Sequence, residues 1–255
     1  RFANNVMLNI KTTDYQKDTV YLALRIDGGS LLATKEDPTR VALAGSISLG
    51  GLEAHSRDEL STILAGKTVS SSVGSATDSF GGSARTSPED FKLQAQLMAA
   101  FLTHPGYRPD GLALIRRFLP QQYAANDATP GAVLGRDAGG ILANNDPRAV
   151  TPPLDTMLAL DWAHLKPAIA DSMDHGAIEI GVVGDIDEAA AIEAIASTFG
   201  ALPERRAAFD PRPAARIREF AKVRSERTLI HMGPAEQAEL RVYWPARDDS
   251  DLAEA

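Results

Sequence analysis

Hydrophobic positions follow two rhythms along this chain, and the change of rhythm marks out its elements. Residues 6–11 and 19–26 are rich in Val, Leu, Ile and Tyr, and they predict two antiparallel strands across the polar stretch 12–18. Gly28-Gly29 closes the second strand, because glycine supplies the backbone freedom a turn needs. A small-residue helix is expected over 38–49. Ser56, with Glu59 three residues on, has capping-box spacing and predicts a short helix to Leu64. Residues 69–73 and 78–84 are Ser/Gly-rich yet alternate, and they predict a second strand pair.

From Ser87 the rhythm becomes helical. Ser87-Pro88-Glu89-Asp90 offers an N-cap, a proline at the first position and acids in the first turn. The helix it opens covers 91–103, with Leu93, Leu97 and Phe101 on one stripe and Phe91, Ala95, Met98 and Leu102 on the next. His104-Pro105-Gly106 stops it. A further helix after Pro109-Asp110 carries Leu112, Ile115, Phe118 and Leu119, and Pro120 is expected to kink or break it. Helical stretches follow at 130–143 and 154–173 around a loop at 144–153. Residues 178–183 make the strongest strand, closed by Gly184-Asp185-Ile186-Asp187, and a helix is expected over 188–199.

The pattern lapses over 201–216, where prolines and arginines replace apolar periodicity, and this stretch reads as a linker. Residues 227–231 and 239–244 are again strand-like. A second unit therefore begins near 217, too short to bury a core by itself. The expected organisation is a domain over 1–200, a linker over 201–216 and the start of a second, similar domain over 217–255. Its class is α+β: a mostly antiparallel sheet with helices packed on one face, then the first strands of the second unit. Both ends read as cuts from a longer polypeptide.

Composition narrows the function more than the fold. Lys plus Arg is 26 against Asp plus Glu at 34, a net charge of -8. That excess argues against nucleic acid as a partner, which calls for a basic face. No apolar run reaches the roughly 18 residues of a membrane span, so no membrane partner is expected. Cysteine is absent, which removes disulfides and thiolate metal sites and leaves the compartment open.

The candidate chemistry is thin. Five histidines, His55, His104, His164, His175 and His231, are the available imidazoles, and none pairs with another four residues away on a helix. His55 with Asp58 and Glu59 forms an H-x-x-D-E run, but Ser56 caps the helix and leaves His55 outside it. Asp185 and Asp187 follow a buried strand, where sites often lie, yet two acids ahead of a helix also suit its dipole. Gly28-Gly29 and Gly50-Gly51 lack phosphate-loop spacing and read as turns. Ser48, Ser61 and Ser70 to Ser72 have no His-plus-acid pattern beside them. Trp162 and Trp244 read as core or interface residues.

Several segments, in order, resemble the pitrilysin/insulinase zinc metallopeptidases, whose zinc motif is the inverted H-x-x-E-H. Arg1-Phe2-Ala3-Asn4-Asn5-Val6 is similar to the family's opening strand, and Gly28-Gly29-Ser30 to the turn after its second strand. Ser56-Arg57-Asp58-Glu59-Leu60 resembles the short helix downstream of the motif, and residues 91–105 resemble the long helix ending in proline. Val183-Gly184-Asp185-Ile186-Asp187 and Phe199-Gly200-Ala201-Leu202-Pro203 are similar to a late strand and the exit into a linker. Glu236-Gln237-Ala238 resembles the start of a following homologous domain.

The resemblance implies a chain of tandem homologous domains in which the first carries the metal. Here the motif's two His and its Glu fall on Leu43, Ile47 and Ser46, and Arg116 and Arg117 stand where a further ligand Glu would be sought. No ligand survives. The resemblance thus implies a non-catalytic repeat in the C-terminal half of a zinc peptidase, with no cofactor of its own. Zinc is expected in the N-terminal half. Expected partners are that catalytic half, a peptide substrate and, as an open case, further copies of the parent chain. Two alternatives stay open: a scaffold or assembly subunit of the same family without peptidase activity, and a stand-alone binding module unrelated to peptidases. Relatives in Gram-negative bacteria imply the periplasm, with the cytoplasm as the alternative.

Overall fold

The fold is organised around residues 178–184, whose burial alternates so that Ile178, Ile180 and Val182 face inward. A computed structural model describes residues 1–71 and 73–245. Its strands are β1 (Met7–Thr12), β2 (Val20–Asp27), β3 (Gly74–Ser75), β4 (Ser79–Thr86) and β5 (Ile178–Gly184). They form one sheet in the order β1-β5-β2-β4-β3. Only β1 and β5 run parallel; the other pairings are antiparallel.

Strands β1 and β2 were expected as neighbours, and β5 lies between them instead. The reason is burial. β5 carries apolar residues at every inward position, and a central place gives it a ladder on both edges. Each inward Ile or Val buried there contributes about 1.5–3 kcal/mol.

The helices are α1 (Arg57–Ile63), α2 (Phe91–Thr103), α3 (Pro109–Ala125), α4 (Pro130–Leu142), α5 (Leu154–Ala159), α6 (Trp162–His175), α7 (Glu188–Ala196) and α8 (Pro213–Arg216). One sheet face packs Val20, Leu22, Leu24, Ile26, Ile180 and Val182 against Phe91, Ala95, Met98, Leu165, Ile169 and Ile195 from the helices. On the other face Tyr21, Ala23, Arg25 and Val183 are exposed. The mixed α+β class, with helices over one face, is the arrangement the sequence implied.

Local differences have identifiable causes. Residues 38–49 form turns and the 3-10 helix Ala44–Gly50, not an α-helix. Successive bonds three residues apart tighten this stretch, as in Ala42 N to Thr39 O and Ser46 N to Leu43 O. Pro120 does not break α3, which continues to Ala125. Leu119 is buried, and the Tyr123 hydroxyl donates to Pro152 O at 2.7 Å, so tertiary contacts hold the far end. Asp161 caps α6 and divides the expected helix 154–173 in two.

The expected strand 69–73 is replaced by β3, only two residues long. Its predecessor is held by side chains of α2 acting as a substitute ladder. The buried Gln94 amide accepts from Ser70 N at 2.8 Å and donates to Ser70 O at 2.9 Å. Asp90 accepts from Thr68 N at 2.8 Å. Ser72 lies outside the described residues.

Residues 201–216, expected as a linker, form a strap on the domain. Asn4 Nδ2 donates to Phe199 O and Leu202 O, and Arg205 donates twice to Met173 O at 2.7 Å. Arg206 pairs with Asp171. Arg212 makes a two-pronged pair with Asp27, at 2.5 and 2.9 Å, and the Asp27 side chain is fully buried. Beyond the strap, 227–231 and 239–244 form no strand. A strand exists only with a ladder partner, and no neighbouring segment among the described residues supplies one. Residues 246–255 of the expected second unit lie outside the described residues.

Two stability effects follow. Arg212→Ala leaves a buried carboxylate without its partner and is expected to cost about 3–5 kcal/mol in urea unfolding, while adding Asp27→Asn recovers part of the loss. Gln94→Leu leaves both Ser70 backbone groups unpaired and is expected to cost about 1–3 kcal/mol by the same measurement.

Candidate functional site

The positions set against the zinc motif lie in the wall of the core. The 3-10 turns of Ala44–Gly50 and the residues before it direct Leu43 and Ile47 inward, at 3% and 2% exposed. Ile47 lines a cavity of about 20 Å³ together with Leu24, Ile26, Met98, Phe101 and Leu102. Ser46, between them in sequence, is half-buried and bonded through its N–H to Leu43 O. A hydrolytic zinc needs about three N or O ligands aimed at one point and a fourth position for water. The side chains at 43, 46 and 47 do not fit that requirement, and no step of metal chemistry is derived for this chain.

Downstream, the capping box is present in full. Ser56 Oγ accepts from Glu59 N at 3.2 Å, and the Glu59 carboxylate accepts from Ser56 N at 2.7 Å. The Ser56 backbone N–H, then its hydroxyl, hold the Glu59 carboxyl below its usual range. Glu59 is thereby committed as an ionised cap. His55 sits outside the helix in a turn closed by reciprocal backbone bonds with Leu52. Asp58 is exposed in the first turn of α1. Arg116 spans from α3 to the end of α5, donating to Leu158 O at 3.0 Å and Leu160 O at 3.2 Å. It is a structural clasp. Arg117 is exposed.

The other candidates are scattered. His104 caps the end of α2, and its Nδ1 lies 2.7 Å from Thr103 Oγ1. His164, in the first turn of α6, faces Asp37 at 3.4 Å. His175 ends α6, and His231 Nε2 lies 3.0 Å from Gln237 O. Among the described residues no three His, Asp or Glu side chains gather where an ion could be held. Asp187 caps α7 through Ala190 N at 2.9 Å, and Asp185 accepts from Asp18 N. Gly28 and Gly51 take positive φ in turns. Ser48 is half-buried, and Ser61 and Ser70 are exposed. Trp162 is buried and donates to Arg108 O at 2.9 Å, whereas Trp244 is 79% exposed.

Sequence reasoning missed the buried polar residues. Asp27 looks like a turn residue before Gly28-Gly29, and Arg205 and Arg212 look like linker charges. Gln94 is hidden in an apolar helix face, where a lone amide between Leu93 and Ala95 was the available signal.

The architecture defines a class before it suggests a relative: an α+β domain with one covered and one open sheet face. No protein-family model and no curated protein matches the chain by sequence. Solved structures do. The first half of the periplasmic protease PqqL from Escherichia coli superposes with a TM-score of 0.67 at 17% identity, covering 82% of this chain and 47% of that one. A protease from Helicobacter pylori gives 0.65 at 14% identity, with 85% and 53% covered. A peptidase M16 inactive domain from Pseudomonas fluorescens gives 0.65 at 18% identity, with 81% and 51% covered.

The neighbours are M16-type, pitrilysin-like proteases, and the shared property is the fold. The chain spans about half the length of these solved pieces, and 25% of the full PqqL chain. It matches both a first half and an inactive domain, so the likeness extends to the fold alone.

Installing the motif tests this geometry. Leu43→His, Ser46→Glu and Ile47→His together are expected to lower stability by at least about 4 kcal/mol, because polar groups enter a packed wall. Thermal unfolding with and without zinc reads the result. A zinc-dependent rise in Tm for the triple variant would show that the three positions are aimed as ligands.

Proposed function

We propose that this chain is a non-catalytic repeat of a zinc-dependent peptidase of the pitrilysin/insulinase type. In this reading it belongs to the half that lacks metal and helps to enclose and position a peptide substrate. The carrying observation is the apolar filling of the motif positions: Leu43 and Ile47 are core residues within a fold shared with an M16 inactive domain. The open sheet face gives the domain a surface that its own helices leave free, suited to a wall facing an extended peptide. Residues 217–255 are then the opening of a second repeat, completed by further polypeptide. Their exposed Ile230, Met232, Leu240, Val242 and Trp244 support this, since such side chains belong on a covered face.

Zinc belongs, in this reading, to an N-terminal half that acts together with this domain. The periplasm is the proposed compartment, on the likeness to a periplasmic protease.

The purified chain is expected to leave fluorogenic peptides uncut and, after dialysis against trace zinc, to hold far less than one zinc per chain by elemental mass spectrometry. One zinc per chain with chelator-sensitive cleavage would overturn the proposal and make His55, Asp58 and Glu59 the first residues to substitute. Mixing with the N-terminal half is expected to restore cleavage. A stable complex that cleaves nothing would favour the scaffold reading instead.

A further inference from the structure

The open sheet face carries a charge pattern opposite to that of the chain. Net charge is -8, yet the charged strand positions on this face are Lys11, Arg25 and Arg85 against Glu179 and Asp27, and the Asp27 carboxylate is buried against Arg212. Arg25 is already engaged, with Asp78 at 3.1 Å and Glu179 at 3.5 Å. Lys11 and Arg85 have no ion pair among the described residues; the Arg85 guanidinium donates to Thr19 Oγ1 at 3.3 Å. The acids Asp14, Asp18 and Asp185 lie in the turns beyond the strands at that end, where the Asp185 carboxylate accepts from Asp18 N.

Lys11 and Arg85 are the two ends of one row. Register places Lys11 beside Val183, Val183 beside Tyr21 and Tyr21 beside Arg85. Val183 and Tyr21, between the cations, are 42% and 45% exposed. Four adjacent strands put the ends of the row about 14 Å apart, at 4.7–4.9 Å per strand. An extended peptide advances roughly 3.3 Å per residue and repeats its facing every second residue. Side chains four positions apart therefore share a face and lie about 13 Å from each other. The position midway between them meets Val183 and Tyr21.

We propose that this face docks an extended acidic peptide laid across the strands, with carboxylates four residues apart on Lys11 and Arg85 and an apolar residue midway. The inference rests on the peptide-holding reading above and names its substrate class. The row assigns that peptide a charge and a spacing.

The test is an NMR titration of the chain with three heptapeptides. They are Gly-Glu-Ser-Val-Ser-Glu-Gly, its isomer with adjacent Glu residues, and the version with Gln for both Glu. The spaced diacid is expected to bind best, and to weaken as salt rises from low to physiological. Lys11→Glu with Arg85→Glu is expected to weaken it about tenfold, two exposed pairs being turned from attraction to repulsion. The milder pair Lys11→Gln with Arg85→Gln should weaken it less, and unchanged thermal unfolding of both variants keeps the comparison on binding. If the Gln peptide binds as well as the diacid and neither variant matters, the acidic specificity is overturned while the peptide-holding reading stands. If none of the peptides binds the wild-type chain, both fall.

Discussion

The placement of β5 between β1 and β2 is the constraint on which the remaining structure depends. It joins residues 7–12 and 20–27 through a strand that follows them by more than 150 positions. The chain between must return to the sheet, and it does so by adding β4 and β3 beside β2 and by laying helices over one face. Those helices bring Phe91, Ala95, Met98, Leu165 and Ile169 over the inward residues of β2 and β5. The strap of residues 201–212 then crosses back to the start of the chain through Asn4 and to the end of β2 through Asp27. Without the central strand neither the covered face nor the strap has a surface to rest on.

This arrangement gives the two faces different work. The covered face is closed by packing, and the segment at 43–47 has been drawn into it. Leu43 and Ile47 add to the core there, so chemistry at that position would cost the fold its wall. The open face makes no such demand. Its ladder hydrogen bonds run through the backbone, and Lys11, Tyr21 and Val183 are exposed there, so charge can change at such positions with little effect on stability. The fold therefore keeps one surface on which recognition can be varied.

Much of this was legible in the sequence, and the limits were physical. Helix α2 and its stop at His104 were plain because two adjacent apolar stripes and a proline-glycine terminator agree. The Ser56–Glu59 capping box was plain because it is wholly local. Strand order was not, since period-two patterning says that β1, β2 and β5 are strands and nothing about which lie side by side. The contacts made by residues 201–216 were hidden for a related reason. Arg205 and Arg212 gain their meaning from Met173 and Asp27, distant in sequence, and composition alone gives arginine between prolines the look of solvent-exposed chain. The motif positions were read as empty of ligands from residue types alone. That Leu43 and Ile47 form a wall of the core is a fact of three dimensions.

The long return to β5 also sets a clock. At synthesis rates of roughly 5–20 residues per second, the interval between completing β2 and completing β5 is about 8–30 s. Through that interval the inward residues of β2, Val20, Leu22, Leu24 and Ile26, have no partner strand on the β5 side, and β1 has no partner at all. The nascent chain thus presents adhesive edges long before it can cover them. Its yield in a cell is governed by whatever shields those edges while the ribosome works toward residue 184.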